Sequence, residues 1–187
     1  MNARLARLLA LALAAAAPVR AHITPPVVLA SDRDAVARLL AGSSRYFVRE
    51  VRLSPTQRES VRQKTGWTPD EDLYRFYVGR TADAVTVGAT IFISEFTMHG
   101  PVRVAVALAP DGRVKGVSVV EVTEETYGWV KPLLDGGFLQ RFAGRDAGGA
   151  LSQTVDSGGS MSRFYAGVIA RLVGRAAALY DVTRSTQ

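Results

Sequence analysis

The chain has 187 residues, a formal net charge of +6, 48% hydrophobic and 21% charged residues, and no cysteine. That length suits one domain able to bury a core, and the composition is not that of a disordered chain. Zero cysteine and only two histidines, His22 and His99, exclude disulfide frameworks, thiol nucleophiles, thioether-attached haem, thiolate-held zinc or iron–sulfur sites, and metal sites built on several histidines.

The charge divides unevenly. Three of the 23 basic residues (Arg4, Arg7, Arg20) and none of the 17 acids fall in residues 1–21, leaving 20 bases against 17 acids, or +3. Such a balance gives no basic stripe for nucleic acid. Arg4 and Arg7 precede the apolar run Leu8–Ala17, which is too short for a membrane span of about 20 residues. Val19-Arg20-Ala21 then puts small apolar residues at −3 and −1 of a cleavage point. This is the layout of a secretory signal peptide over 1–21, and it predicts an exported or periplasmic mature chain starting near His22.

Residues 22–52 read as a leader. Ile23–Ala30, with Pro25-Pro26, predicts an extended segment. Ser31 and Asp34 cap a short helix through Leu40 that Gly42 stops, and Tyr46–Leu53 alternates like a strand. The remainder, 53–187, reads as the main domain. Ser54-Pro55 opens a second short helix that Gly66 closes. Leu73–Arg80, Val85–Ser94, Val102–Ala109 and Val114–Val122 have the period of strands, and their short links make them antiparallel neighbours. Pro110-Asp111-Gly112-Arg113 is a turn. The chain from Thr123 reads as irregular, with a short apolar piece at Phe138–Phe142 and a Gly/Ser-rich stretch over 143–160. A final helix from Ser160 or Ser162 carries the stripe Tyr165, Val168, Ile169, Leu172, Ala176, Leu179, Tyr180. The expected fold is α+β: an antiparallel meander of four to five strands, packed on one face with short helices and a C-terminal amphipathic helix.

The strongest chemical feature is Asp156-Ser157-Gly158-Gly159-Ser160-Met161-Ser162, running into that helix. Glycines that turn backbone N–H groups inward, with a helix N-terminus behind them, suit an anion or phosphate; a plain serine-capped loop has the same residues. Asp70/Asp72 and Glu124/Glu125 read as solvated loop acids, and no Ser-His-Asp ordering supports a hydrolase. Cleavage before His22 would expose an N-terminal amine and imidazole to copper, with His99 as the one available third nitrogen.

The order of several segments carries a resemblance. Met98–Val117, beginning Met98-His99-Gly100-Pro101, resembles the centre of the FMN-binding domain family. That family includes the flavin subunits G and C of bacterial ion-pumping electron-transfer complexes and many small exported proteins. Leu53–Gln57, Gly66-Trp67 and Glu71–Gly79 are similar to the N-terminal part of the exported branch. Glu125-Thr126-Tyr127-Gly128 resembles the family's Glu-Thr/Ser-x-Gly loop, and Phe138–Gly144 its Phe-Leu-x-Gln-Phe-x-Gly. The resemblance covers roughly 53–175. It implies an electron carrier in which FMN does the redox work, with its phosphate at Ser157, Gly158, Gly159, Ser160 and Ser162. His99, Glu125, Thr126 and Tyr127 would lie near the flavin, and Trp129 would offer a stacking surface.

In many members a flavin transferase esterifies FMN to the threonine of Ser/Thr-Gly-Ala-Thr. Here Gly159 stands for the alanine and Ser160 for the threonine. Thr154 occupies the position where the family has aspartate, with Asp156 two residues on. Esterified FMN on Ser160, FMN held without a covalent bond, and a cofactor-free relative that binds a partner or another anion all stay open. Asp83–Thr90 nearly spells the same motif with Val87 inserted, but its alternating pattern makes Thr90 a strand residue.

Overall fold

The computed structural model describes residues 24–156 and 158–184. The segment expected to be a signal peptide, His22 and Ser157 lie outside the described residues. Six antiparallel strands form one sheet in the order β1-β6-β5-β4-β3-β2. They are β1 (Pro26–Val28), β2 (Arg45–Val51), β3 (Tyr74–Arg80), β4 (Thr86–Thr97), β5 (Gly100–Leu108) and β6 (Val114–Thr123). The helices are α1 (Asp32–Leu39), α2 (Pro55–Thr65), α3 (Glu124–Asp135), a 3-10 turn (Phe138–Phe142), α4 (Ala147–Leu151) and α5 (Ser160–Arg184).

β2 to β6 form the expected five-strand meander, each paired with its sequence neighbour. The sixth strand comes from the proline-containing leader, where Pro26 pairs with Thr123 and Val28 with Glu121. Both edges of the sheet are therefore built from residues before Leu53. The local signals act as the sequence predicts. The Ser31 side chain accepts from Asp34 N; Ser54 and Gln57 form a reciprocal capping box ahead of Pro55; Gly66 ends α2 at φ +69.

Helices cover both faces of the sheet, not one. β5 explains why. Val102, Val104, Val106 and Leu108 point into the main core with α5, while Ala105 packs with Ala35 and Val120, and Ala107 with Val36 and Leu40. These six β5 side chains are all buried, so alternation along one strand serves two cores. The apolar pattern of 102–108 is nearly continuous, as a strand buried on both sides requires.

α5 has the predicted buried stripe and more. Ala166, Ala170, Val173, Gly174, Ala177 and Ala178 are buried as well, because α2, α3 and α4 pack around it. No helix among the described residues is long and apolar enough to cross a membrane.

Ala35 is fully buried against the sheet, so Ala35→Leu overpacks the α1 face and lowers stability by about 1–3 kcal/mol, read as a lower urea midpoint at unchanged slope. Lys64 of α2, with Arg184, holds the Asp181 carboxyl of α5 below its usual range. A depressed carboxyl adds stability above its unfolded pKa, and that stability is lost as pH falls through the folded value. The pair is more than a third exposed and screened by solvent, so Asp181→Asn costs under about 1 kcal/mol at pH 7. The gap to wild type closes below about pH 4, checked by urea midpoints across pH.

Candidate functional site

Three segments meet at one end of the sheet. β4 and β5 join through Met98–His99, β6 runs straight into α3 at Thr123, and α5 begins at Ser160.

The β4–β5 turn has an identifiable design. Neither Met98 nor His99 has a positive φ, which excludes the primed two-residue turns, and Gly100 takes φ +99 instead. Thr97 donates its hydroxyl to Gly100 O at 2.8 Å and accepts from His99 N at 3.2 Å. A Cβ on Gly100 would lie 2.3 Å from Thr123 Cγ2, so close approach of β6 as well as the backbone angle requires glycine there.

Thr123 also starts α3. Its hydroxyl accepts from Thr126 N at 3.3 Å and donates to His99 O at 2.7 Å. The segment expected to be irregular is thus a twelve-residue helix, with Thr123 as N-cap and Glu124 and Glu125 in the first turn. Gly128 and Pro132 hid it from pattern reading. Threonine followed by two acids was the signal that marked it.

From α3, Glu125 and Trp129 lie one turn apart on the same face. Glu125 Oε1 is 3.0 Å from His99 Nδ1, and the Trp129 ring meets the His99 ring edge-on with centroids 4.9 Å apart. Trp129 also stacks on Tyr165 of α5, at 5.8 Å and 13°. Thr126 turns inward and is fully buried. Its hydroxyl lies 3.2 Å from the Tyr165 hydroxyl, which lies 3.3 Å from that of Thr97. A buried chain of hydroxyls thus ties the turn, α3 and α5 together, and each member has a partner.

The start of α5 adjoins this cluster through Ser162. That serine is buried and donates to Trp129 O at 2.9 Å. Ser160, Gly158 and Gly159 are exposed. Gly158 has φ +102, a Cβ on Gly159 would meet nothing within 4 Å, and Arg163 donates to Gly158 O at 2.6 Å. The first-turn N–H groups of a 25-residue helix, one exposed hydroxyl and one guanidinium are thus grouped at one point.

The structure therefore links His99, Glu125, Thr126 and Ser162 directly and sets Gly158, Gly159 and Ser160 beside them. Tyr127 stands apart: it is about 200° around α3 from Glu125 and packs on the main core. Trp129 is already stacked with Tyr165. Thr97, Thr123, Tyr165 and Arg163 are members that sequence reasoning missed as site residues, because their roles depend on which strand ends lie together. Thr90 is buried in β4, as expected for a strand, and its hydroxyl has no partner. Among the described residues no group of three or more His, Asp or Glu is placed to hold a metal ion. No protein-family model matches the chain, and no curated protein matches it.

Tyr165→Phe removes the hydroxyl that joins α5 to Thr97 and Thr126. The expected cost is about 1–2 kcal/mol, read as a shifted urea midpoint at unchanged slope.

Proposed function

We propose that the protein is an exported flavoprotein that carries electrons on FMN, with the FMN phosphate held at residues 158–162. The observation that carries this reading is the exposed Ser160 hydroxyl at the first turn of α5, beside the His99–Glu125–Trp129–Tyr165 cluster. The sequence resemblance supplies the identity of the ligand.

The residues present fit the phosphate end of FMN. The first-turn N–H groups and the positive end of α5 favour an anion, and the open space at Gly159 lets it approach the backbone. Arg163 adds a cation at the same turn. Among the two described serines of the segment, Ser162 is committed to Trp129 O, so Ser160 is the hydroxyl free to be esterified. Beyond the phosphate, Phe164 is 45% exposed and Met98 90% exposed, and both offer apolar surface to a ring. FMN supplies reversible electron uptake when bound; the chain supplies position and exposure. His99, fixed by Glu125 on its ring and by Thr123 on its carbonyl, would be the group to bond a flavin or its phosphate. Thr126 and Tyr165 act behind it by holding that backbone in place.

A cofactor-free relative is the second reading, favoured by Gly159 and Ser160 standing where the family has alanine and threonine. Mature protein made together with a flavin transferase separates the two by intact mass and visible absorbance. The expected result is a yellow protein heavier by one FMN less one water, with both signals lost in Ser160→Ala. Yellow protein of unmodified mass would mean FMN held without a covalent bond. Colourless protein of unmodified mass would leave the cofactor-free reading in its place.

A further inference from the structure

The two edges of the sheet are not alike. β1 has three residues and includes Pro26, a short and proline-blunted edge. β2 has seven residues, Arg45-Tyr46-Phe47-Val48-Arg49-Glu50-Val51, with no proline or lysine, and among the described residues β3 is its single neighbour. Alternate N–H and C=O groups along its outer side are unpaired, as on any edge strand. Tyr46, Phe47 and Val48 are 45%, 48% and 58% exposed. The charges that would defend this edge are partly engaged inward. Glu50 bonds Arg75 across the strand pair at 2.7 Å, and Arg49 lies over the rings of Phe76 and Tyr180.

We propose that β2 pairs antiparallel with β2 of a second copy of this chain, with the two-fold axis through Val48. Symmetry narrows the register. A two-fold axis that joins two edges antiparallel stands perpendicular to the sheet. It keeps each face continuous, so the numbers of opposed residues sum to an even value. Centring on Phe47 would set Arg45 against Arg49 twice, and centring on Arg49 would set two guanidiniums face to face; like charges directly opposed are destabilising. Centring on Val48 sets Val48 against Val48, Phe47 against Arg49, and Tyr46 against Glu50. From Tyr46 to Glu50 every opposed pair is then apolar, cation on aromatic, or hydroxyl on carboxylate; the outermost pair sets Arg45 beside Val51, and no like charges are opposed.

The α5 face of this edge is shaped for that arrangement. A cavity of about 370 Å³ is lined by Phe47, Arg49, Val78, Arg80, Thr86 and Tyr180. Arg49 bonds Thr183 O at 3.3 Å, but its Nε and Nη2 are buried without a hydrogen-bond partner. An aromatic ring needs no acceptor atom to attract such a guanidinium, and Phe47 of the other copy is the residue this register places opposite it. The paired strands would make one continuous sheet across both copies, with the α5 start of each at a distance from the joint along its own strands.

The absence of cysteine makes the test clean, since a single introduced thiol reports one position. Directly opposed Cα atoms in an antiparallel pair lie about 4.5–5.5 Å apart, within disulfide range. Val48→Cys is expected to form a disulfide dimer under mild oxidant at least about tenfold faster than Tyr46→Cys or Glu50→Cys, whose own copies sit four residues out of register. Wild type is expected to sediment as a concentration-dependent dimer. Val48→Lys should sediment as a monomer while its circular dichroism is unchanged. Equal cross-linking rates for the three cysteines, a wild type that stays monomeric at every concentration, or a folded Val48→Lys that stays dimeric would each overturn the proposal.

Discussion

The architecture depends on β5 being covered twice. A strand whose side chains are buried on both sides needs a layer on each, and those layers are not equivalent. Valines and a leucine face α5, whereas alanines face α1. Large side chains give the α5 face a thick core in which most of one long helix is buried. Small side chains let α1 lie close on the other face, where eight helical residues are enough cover. The leader is therefore structural: without α1 the face carrying Ala105, Ala107 and Val120 would stand in water.

That requirement also decides where chemistry can gather. In a meander, alternate strand ends point the same way, so the β4–β5 turn and the end of β6 must fall at one end of the sheet. α5 has to run along the buried face, and its N-terminus emerges at the same end. Thr97, Thr123, Thr126 and Tyr165 fill the space between these three segments. In apolar surroundings four unpaired hydroxyls would be costly; joined in a chain they fix the turn, α3 and α5 relative to one another. Trp129 stacks on the ring of Tyr165, whose hydroxyl belongs to that chain.

Elements with local causes were legible in the sequence. The caps at Ser31 and Ser54, the stop at Gly66, the period-two runs and the α5 stripe each depend on neighbours within a few residues, and each is present. What was not legible depends on distant partners. Pro26–Val28 has no strand pattern of its own and is a strand because Glu121–Thr123 offers it an edge. α3 was masked because Gly128 and Pro132 lower its intrinsic preference, which packing of Val130 and Leu133 into the core outweighs. At the site, His99, Glu125 and Ser162 were visible as residue types. The hydroxyl chain was not, since nothing in the spacing of Thr97, Thr123, Thr126 and Tyr165 says that three elements end at one point.

The contrast between Ser160 and Ser162 shows how one helix turn divides support from reactivity. The two are separated by about 200° around α5, so one faces the cluster while the other faces out. Ser162 gives its hydroxyl to Trp129 O and so ties α3 to α5. Ser160 stands outside that network, with the helix end behind it. A group attached or bound at Ser160 would therefore disturb none of the bonds that hold His99 and Tyr165. Conversely, a change at Ser162 would act first on the position of Trp129. Under the FMN reading the same division keeps the flavin end of the molecule open to a redox partner while the polar core beneath it stays closed. With no cysteine in the chain, a bound organic cofactor is the carrier that this reading calls for.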